Sequence, residues 1–336
     1  MPGTDVCIRM GVASVVYRMQ SRLLLLLLCL LLPSAAQTPF RVDVQLVNVG
    51  FSVRDRTGKL VPDLTQDDFE VIEDGVPQKV AFFAKSADVP LNLGLIVDIS
   101  GSQGTFVKQH HKDLKTFLTA VLTAQDRAFL VCFGSHARLV TEPSPSPKFL
   151  ADALEGFEGT NRKAEYPILG PREIRTGGTS FYDAIYHSTR QMLSNTGNAR
   201  RAIIVFSDGE DNSSAHHMLD VIEAAQTSNV LLFCIRYTEL RNGLWNARNK
   251  YGMSVMERIA RETGGNDFDA REKSLAQHFK EIGDQLRTSY ELGYHSTSPA
   301  TDKTFHKVVI RLKDEAKATD LTVRAKTGYY THFNDN

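Results

Sequence analysis

The sequence predicts an α/β domain, doubly wound on a mostly parallel sheet, inserted into a small β-sandwich that both ends of the chain build together. Three observations carry this expectation. Residues 91–287 alternate continuous apolar runs with stretches of helical period, the pattern of strands buried on both faces and covered by helices. The stretches on either side, 40–85 and 290 onward, have a period of two. Neither flank has enough strands for a stable sheet alone, whereas together they supply about five to seven. The expected division is a leader at 1–36, the first part of the sandwich at 38–88, the α/β domain at 89–287 and the second part of the sandwich at 288–333.

In chain order, Val42, Val44 and Leu46 alternate, and Val47, Val49, Phe51 and Val53 alternate in the opposite phase, so a bulge near Leu46–Val47 would keep one face buried. Phe69–Ile72, a turn at Glu73-Asp-Gly75 and Val80–Phe83 read as a hairpin. Leu91–Val97 is an apolar run interrupted only by Asn92, followed by a helix with Val107, Leu114, Phe117, Leu118, Val121 and Leu122 on one stripe. Arg127–Phe133 is the next strand, and Leu139–Thr141 a short antiparallel edge. Further on come a helix with Ile185, Met192 and Leu193 inward, the strand Ala202–Phe206, a helix near Leu219 and Ile222, the strand Val230–Ile235 and a helix around Met256 and Ile259. Asp267–Asp269 and a last helix carrying Leu275, Phe279, Ile282 and Leu286 close the domain. Tyr290, Leu292 and Tyr294, then Val308, Ile310 and Leu312, then Leu321, Val323 and Ala325 resume the strand period.

The run Leu23–Leu32, preceded by Arg18 and Arg22 and followed by Pro33-Ser-Ala-Ala36, has the basic flank, short apolar stretch and small-residue exit of a secretory signal. Ten apolar residues are too few to cross a ~30 Å hydrocarbon core as a helix, so no membrane span is expected after cleavage, and the mature chain is expected outside the cytoplasm, secreted or in the periplasm or cell envelope. The 39 basic and 39 acidic residues balance; removal of 1–36 leaves 36 against 38, which gives no electrostatic reason to expect nucleic acid or an anionic membrane as partner. Cys132 and Cys234 sit in apolar strands that the expected sheet order separates by two others, too far for a disulfide.

Five residues in three separated pieces carry the chemistry: Asp98, Ser100 and Ser102 after the first α/β strand, Thr179 on the loop Gly177-Gly-Thr-Ser180, and Asp208 after the strand ending Val205-Phe-Ser207. Ligands of a doubly wound sheet bind at the carboxyl ends of its strands, where both aspartates fall. Two carboxylates and three hydroxyls, with no His or Cys, form a hard-oxygen set suited to Mg²⁺ or Mn²⁺. Such a set leaves coordination positions for water or for a partner's carboxylate.

Those pieces resemble the von Willebrand factor A domain with its metal-ion-dependent adhesion site, whose pattern is Asp-x-Ser-x-Ser, a distant Thr and a distant Asp. Asp98-Ile-Ser100-Gly-Ser102, Thr179 and Asp208 match it in full, and the run Asp67–Gln78 is similar to a stretch in secreted von Willebrand A-related proteins of Acidobacteria. The resemblance implies a von Willebrand A-type sheet and a non-enzymatic binding or adhesion module. In it, Ser100 and Ser102 would ligate the metal directly, and Asp98, Thr179 and Asp208 directly or through water. The implied partner is a protein that offers an acidic side chain.

Two enzymatic readings compete. Ser100-Gly-Ser102-Gln-Gly104 is one residue short of a Gly-x-Ser-x-Gly nucleophile elbow, and a serine hydrolase would need a base beside it. A phosphoryl-transfer enzyme would need a carboxylate where Ser100 stands. Asp211 reads equally as a loop cap or as support for the metal. His110-His111 and His216-His217 read as solvated helix-surface pairs without metal-ligand spacing. Two loops on the metal-bearing edge, 156–176 and 237–253, hold the candidate partner contacts Arg175, Arg241 and Trp245, residue types enriched in binding hot spots.

Overall fold

The structure is a computed structural model that describes residues 46–86, 89–173, 175, 177–194, 199–239, 245–272, 275–298 and 304–331. The leader at 1–36, the bulge near Leu46–Val47 with its preceding strand, and Arg241 fall wholly or partly outside the described residues.

The central sheet has seven strands in the order β11-β10-β9-β5-β6-β7-β8: β5 (Leu91–Asp98), β6 (Arg127–Phe133), β7 (Ala137–Ser144), β8 (Ile168–Leu169), β9 (Arg200–Ser207), β10 (Val230–Arg236) and β11 (Asp267–Asp269). It is parallel from β11 to β6 and antiparallel at β7 and β8. Helices cover both faces, as continuous apolar strands require. On one lie α1 (Val107–Val121), α2 (Pro147–Gly159) and α6 (Leu275–Arg287), packed through Phe117, Leu154 and Phe279. On the other lie α3 (Phe181–His187), which continues as a π-helical turn to Leu193, α4 (Met218–Thr227) and α5 (Ala247–Thr263), packed through Ile185, Ile222 and Ile259.

The flanks form two four-stranded sheets, β14-β1-β12-β4 and β15-β13-β2-β3, around one core of Val49, Phe51, Phe69, Tyr290, Leu292 and Ile310. Their strands are β1 (Leu46–Asp55), β2 (Phe69–Glu73), β3 (Val76–Gln78), β4 (Val80–Ser86), β12 (Ser289–His295), β13 (Phe305–Leu312), β14 (Leu321–Ala325) and β15 (Gly328–Tyr330). β1 pairs with both β12 and β14, and β2 with β13, so strands from the two ends interleave. The α/β domain is thus inserted into a sandwich, as the alternation of periods indicates.

Several local expectations change. β2 pairs not with Val80–Phe83 but with the three residues of β3; the chain then bends at Lys79, and β4 joins β12 in the opposite sheet. A strand that turns a sandwich corner has the same period on both sides of the corner, so periodicity alone reads it as one hairpin arm. The strand at Leu139–Thr141 is not the edge, because β8 lies outside it. Residues 156–159, read as loop, belong to α2, whose Ser146 N-cap accepts from Phe149 N at 3.2 Å. Likewise α5 begins at Ala247, inside the second expected loop, with Asn246 as N-cap. Cys132 on β6 and Cys234 on β10 are buried free thiols separated by β5 and β9.

Candidate metal centre

β5 and β9 are parallel neighbours in register at Val97 and Phe206, so the residues at their carboxyl ends emerge side by side. Asp98 ends β5 and is fully buried. Its Oδ1 accepts from Ser100 N at 2.9 Å, and its Oδ2 accepts from Ser207 Oγ at 2.6 Å, so both oxygens are fixed in direction. Asp208 accepts from Gln103 Nε2 at 2.8 Å through Oδ2 and from Glu210 N at 3.0 Å through Oδ1. The hydroxyls of Ser100 and Ser102 lie 3.2 Å apart. Thr179 reaches this edge through the loop that follows Asp208: Asn212 Oδ1 accepts from Thr179 N at 2.7 Å, and Thr179 O accepts from Asn212 N and Ser213 N. Gly178 makes that approach feasible, since its φ is +102° and a Cβ there would meet Asn212 Oδ1 at 2.6 Å.

The electrostatics of this cluster are unbalanced. Burial, and then the neighbouring Asp208 carboxylate, push Asp98 up to about 7. Glu210 is also raised, by burial and by Asp208. Among the described residues, no basic side chain lies within 4.0 Å of Asp98 or Asp208. Two buried carboxylates without a counter-charge, beside converging hydroxyls, form a donor set that fits a hard divalent cation. Asp98, Ser100, Ser102, Thr179 and Asp208 would hold it.

Residues 167–285 match the family model of the von Willebrand factor type A domain. Over that stretch the α/β unit is similar to a von Willebrand A domain. The matched stretch includes Thr179 and Asp208, while Asp98, Ser100 and Ser102 precede it. No curated protein matches the chain. Among solved structures, a von Willebrand factor type A protein from Catenulispora acidiphila is 14% identical, covers 88% of this chain and 76% of its own, and has a TM-score of 0.44. An aerotolerance-related membrane protein from Bacteroides fragilis is 15% identical over 58% of this chain and 98% of its own, with a TM-score of 0.43. The manganese-loaded TRAP protein of Plasmodium vivax is 15% identical over 73% of this chain and 96% of its own, with a TM-score of 0.42.

Three residues that support the acidic edge of the sheet have no signal in the sequence reading: Ser207 on Asp98, Gln103 on Asp208, and Asn212 on Thr179. Ser207 stands next to an expected ligand and ends a strand, which is the only hint available. Gln103 is buried, and its amide bridges Asp208 and Tyr237 O, a contact across the sheet that no spacing encodes. Asp211 is a loop cap, accepting from Tyr182 N at 3.2 Å and from Ser214.

A groove of 390 Å³ runs beside the cluster, lined by Ser102, Phe106, Asp208, Tyr237, Glu239 and Arg248 among others. Trp245 sits just before the helix that forms one wall of this groove. It is half-buried, with the Arg271 guanidinium stacked 4.4 Å over its ring. Arg175 does not face outward as a partner contact would, because its side chain is largely buried and pairs with Asp183 at 3.2 Å.

The histidine pairs also depart from the solvated reading. His110 is fully buried with its ring 4.3 Å from that of Tyr237, and its ring nitrogens have no hydrogen-bond partner among the described residues. His111 pairs with Glu158. His216 lies in a loop against Asp183 rather than on a helix surface, whereas His217 is exposed. Among the described residues, no hydrogen bond or ring contact brings any of these rings to Ser100 or Ser102, whose hydroxyls face each other.

Proposed function

We propose that the protein is a non-enzymatic adhesion module that grips a protein partner through a divalent cation, Mg²⁺ or Mn²⁺, held by Asp98, Ser100, Ser102, Thr179 and Asp208. The observation that carries this reading is the pair of buried carboxylates, Asp98 and Asp208, at neighbouring strand ends without a basic partner. When bound, the cation supplies an open coordination position for a partner's carboxylate. Ser207, Gln103 and Asn212 orient the ligating groups, and the groove beside Ser102 and Asp208 accommodates the residues that flank the partner's acid. A serine hydrolase would need a base dedicated to its nucleophile; Ser100 Oγ faces Ser102 Oγ and the Asp98 carboxylate, which this reading assigns to the cation. The sequence features of residues 1–36 favour export of the mature chain; among the described residues, no helix is long and apolar enough to cross a membrane.

Calorimetric titration with Mg²⁺ and Mn²⁺ tests the site. The expected outcome is one equivalent bound by the wild-type protein and a loss of at least a hundredfold in affinity in Asp98→Ala and Asp208→Ala, with unfolding still cooperative. Undiminished affinity in both folded variants would remove the metal centre. A pull-down from native envelope extract with Mn²⁺ or chelator then reads the partner, whose capture should need both the ion and Asp98.

A further inference from the structure

Behind the Thr179 loop, three side chains converge that the hard-oxygen cluster does not use. Asp183 and His187 stand four residues apart on α3, so they share one helix face, and His216 comes from the loop after β9. One carboxylate oxygen and one nitrogen from each imidazole lie within 4.8 Å of one another. We propose that Asp183, His187 and His216 form a second cation site, selective for a borderline transition ion such as Zn²⁺, that ties the helix following Thr179 to the loop following Asp208.

The ligand chemistry differs from that of the first site in the way that separates metals. Two imidazoles and one carboxylate suit Zn²⁺, Co²⁺ or Ni²⁺, whereas five hard oxygens suit Mg²⁺ or Mn²⁺. Ligand atoms around a tetrahedral Zn²⁺ stand about 3.3 Å apart, given bonds of about 2.0–2.1 Å, so rotation of the imidazoles by roughly 1 Å closes the set. Each ligand is prepared. His187 Nε2 is buried without a hydrogen-bond partner, while Nδ1 lies 3.2 Å from the Gln191 amide. With Gln191 Oε1 turned to accept from Nδ1–H, Nε2 presents its lone pair to the site. Burial, with His216 beside it, lowers the His187 pKa, so the ring is neutral and able to ligate at pH 7. Gly170 leaves room for the ring, since a Cβ there would collide with it.

Asp183 is held ionised although burial works against it, because His216, the backbone at Ala215 and His216, and Arg175 all donate to it. Its Oδ1 accepts from His216 Nδ1 at 2.8 Å, and Oδ2 accepts from Arg175 at 3.2 Å. Ligation through Oδ1 replaces the imidazole hydrogen bond and leaves the backbone donors as outer support. The ring of Tyr186, stacked 3.8 Å from that of His216, limits its rotation to the plane in which it already faces the carboxylate. The Arg175 guanidinium, paired with Asp183, opposes the ion. A similar grouping of Glu73, Asp74 and His306 lacks this readiness, because Glu73 already accepts from Tyr294, Tyr329 and Ser296.

Co²⁺ titration of untagged protein in millimolar Mg²⁺ tests the proposal, with the visible absorption of His-ligated Co²⁺ as readout and Zn²⁺ displacement as control. The expected result is one equivalent bound in the wild-type protein and in Asp98→Ala, which lacks the first site. His216→Ala, in a partly exposed loop, and His187→Gln should each weaken binding at least tenfold, and Arg175→Ala should bind at least as tightly as wild type. Absence of the Co²⁺ spectrum in the wild-type protein, or unchanged affinity in both folded histidine variants, would overturn it. Failure of the Mg²⁺ site leaves this result untouched, since the two are read with different ions and different variants.

Discussion

Among the wholly buried carboxylates of the described residues, Asp98 at the edge of the parallel sheet and Glu73 at the end of β2 have opposite surroundings. Glu73 accepts from Tyr294 Oη at 2.6 Å, Ser296 Oγ at 2.5 Å and Tyr329 Oη at 3.0 Å. Burial disfavours its charge, yet these hydroxyls together hold the carboxyl below its usual range. Asp98 has two donors and a second carboxylate for a neighbour, and its pKa rises. A buried acid whose lone pairs are all met by the protein is part of the fold. One left beside another acid is stable only at a cost, which a bound cation would lift.

The comparison breaks most readily on stability without divalent ions. Glu73→Ala removes the shared acceptor of three buried or half-buried hydroxyls that all come from the C-terminal flank, and should cost on the order of 3 kcal/mol. Asp98→Ala removes a repulsion and should leave stability in chelator unchanged or raised. Urea unfolding of both variants in excess chelator reads the difference. Equal destabilisation would mean that Asp98 is as structural as Glu73.

How far each environment was legible in the sequence follows from what periodicity encodes. The five hard-oxygen residues stand at strand ends and on a glycine loop, positions that pattern and turn chemistry mark, so the candidate cluster could be named from three short runs. Glu73 looked like a turn residue, because its partners Tyr294 and Tyr329 lie more than 200 residues away. The α2 helix escaped because Gly156 and Gly159 dilute its period, and the β4 crossing escaped because a strand keeps its alternation when it changes sheets. His110 and His216 were misread for one reason: the burial of a histidine depends on tertiary neighbours, Tyr237 for one and Asp183 for the other.

His110 sharpens the comparison with a cation in place of an anion. Burial, with His111 adding to it, lowers its pKa to about 3, from about 6.5 in an unfolded chain. Between those values the unfolded chain takes up a proton that the folded chain refuses, so stability falls as pH drops below about 6.5 and is unaffected above it. The slope is at most about 1.4 kcal/mol per pH unit, or roughly 2.7 kcal/mol between pH 7.5 and 4.5. His110→Leu keeps the packing against Tyr237 and removes the proton site. Urea unfolding across that range should therefore give a flatter profile for the variant, and parallel profiles would show that His110 titrates normally in the fold.

The smallest effect concerns the rim of the groove. Trp245 is the only tryptophan, so its fluorescence reports one place: the stack under Arg271, whose guanidinium is itself fixed by Asp269. A cation–π contact at a partly exposed site contributes about 0.5–1 kcal/mol. Arg271→Ala should therefore shift the emission to the red and lower stability by that amount, without changing Mg²⁺ affinity, since neither residue touches an expected ligand. Trp245→Ala separates packing from recognition. Trp245 directly precedes Asn246, and Asn246 and Arg248 line the groove beside Asp208. If Trp245 belongs to the gripping surface, Mn²⁺ affinity should persist in Trp245→Ala while partner capture falls by more than the stability loss explains. Capture equal to wild type would assign the ring to packing alone, and would leave the metal-bridged carboxylate, without an aromatic contact at Trp245, as the anchor.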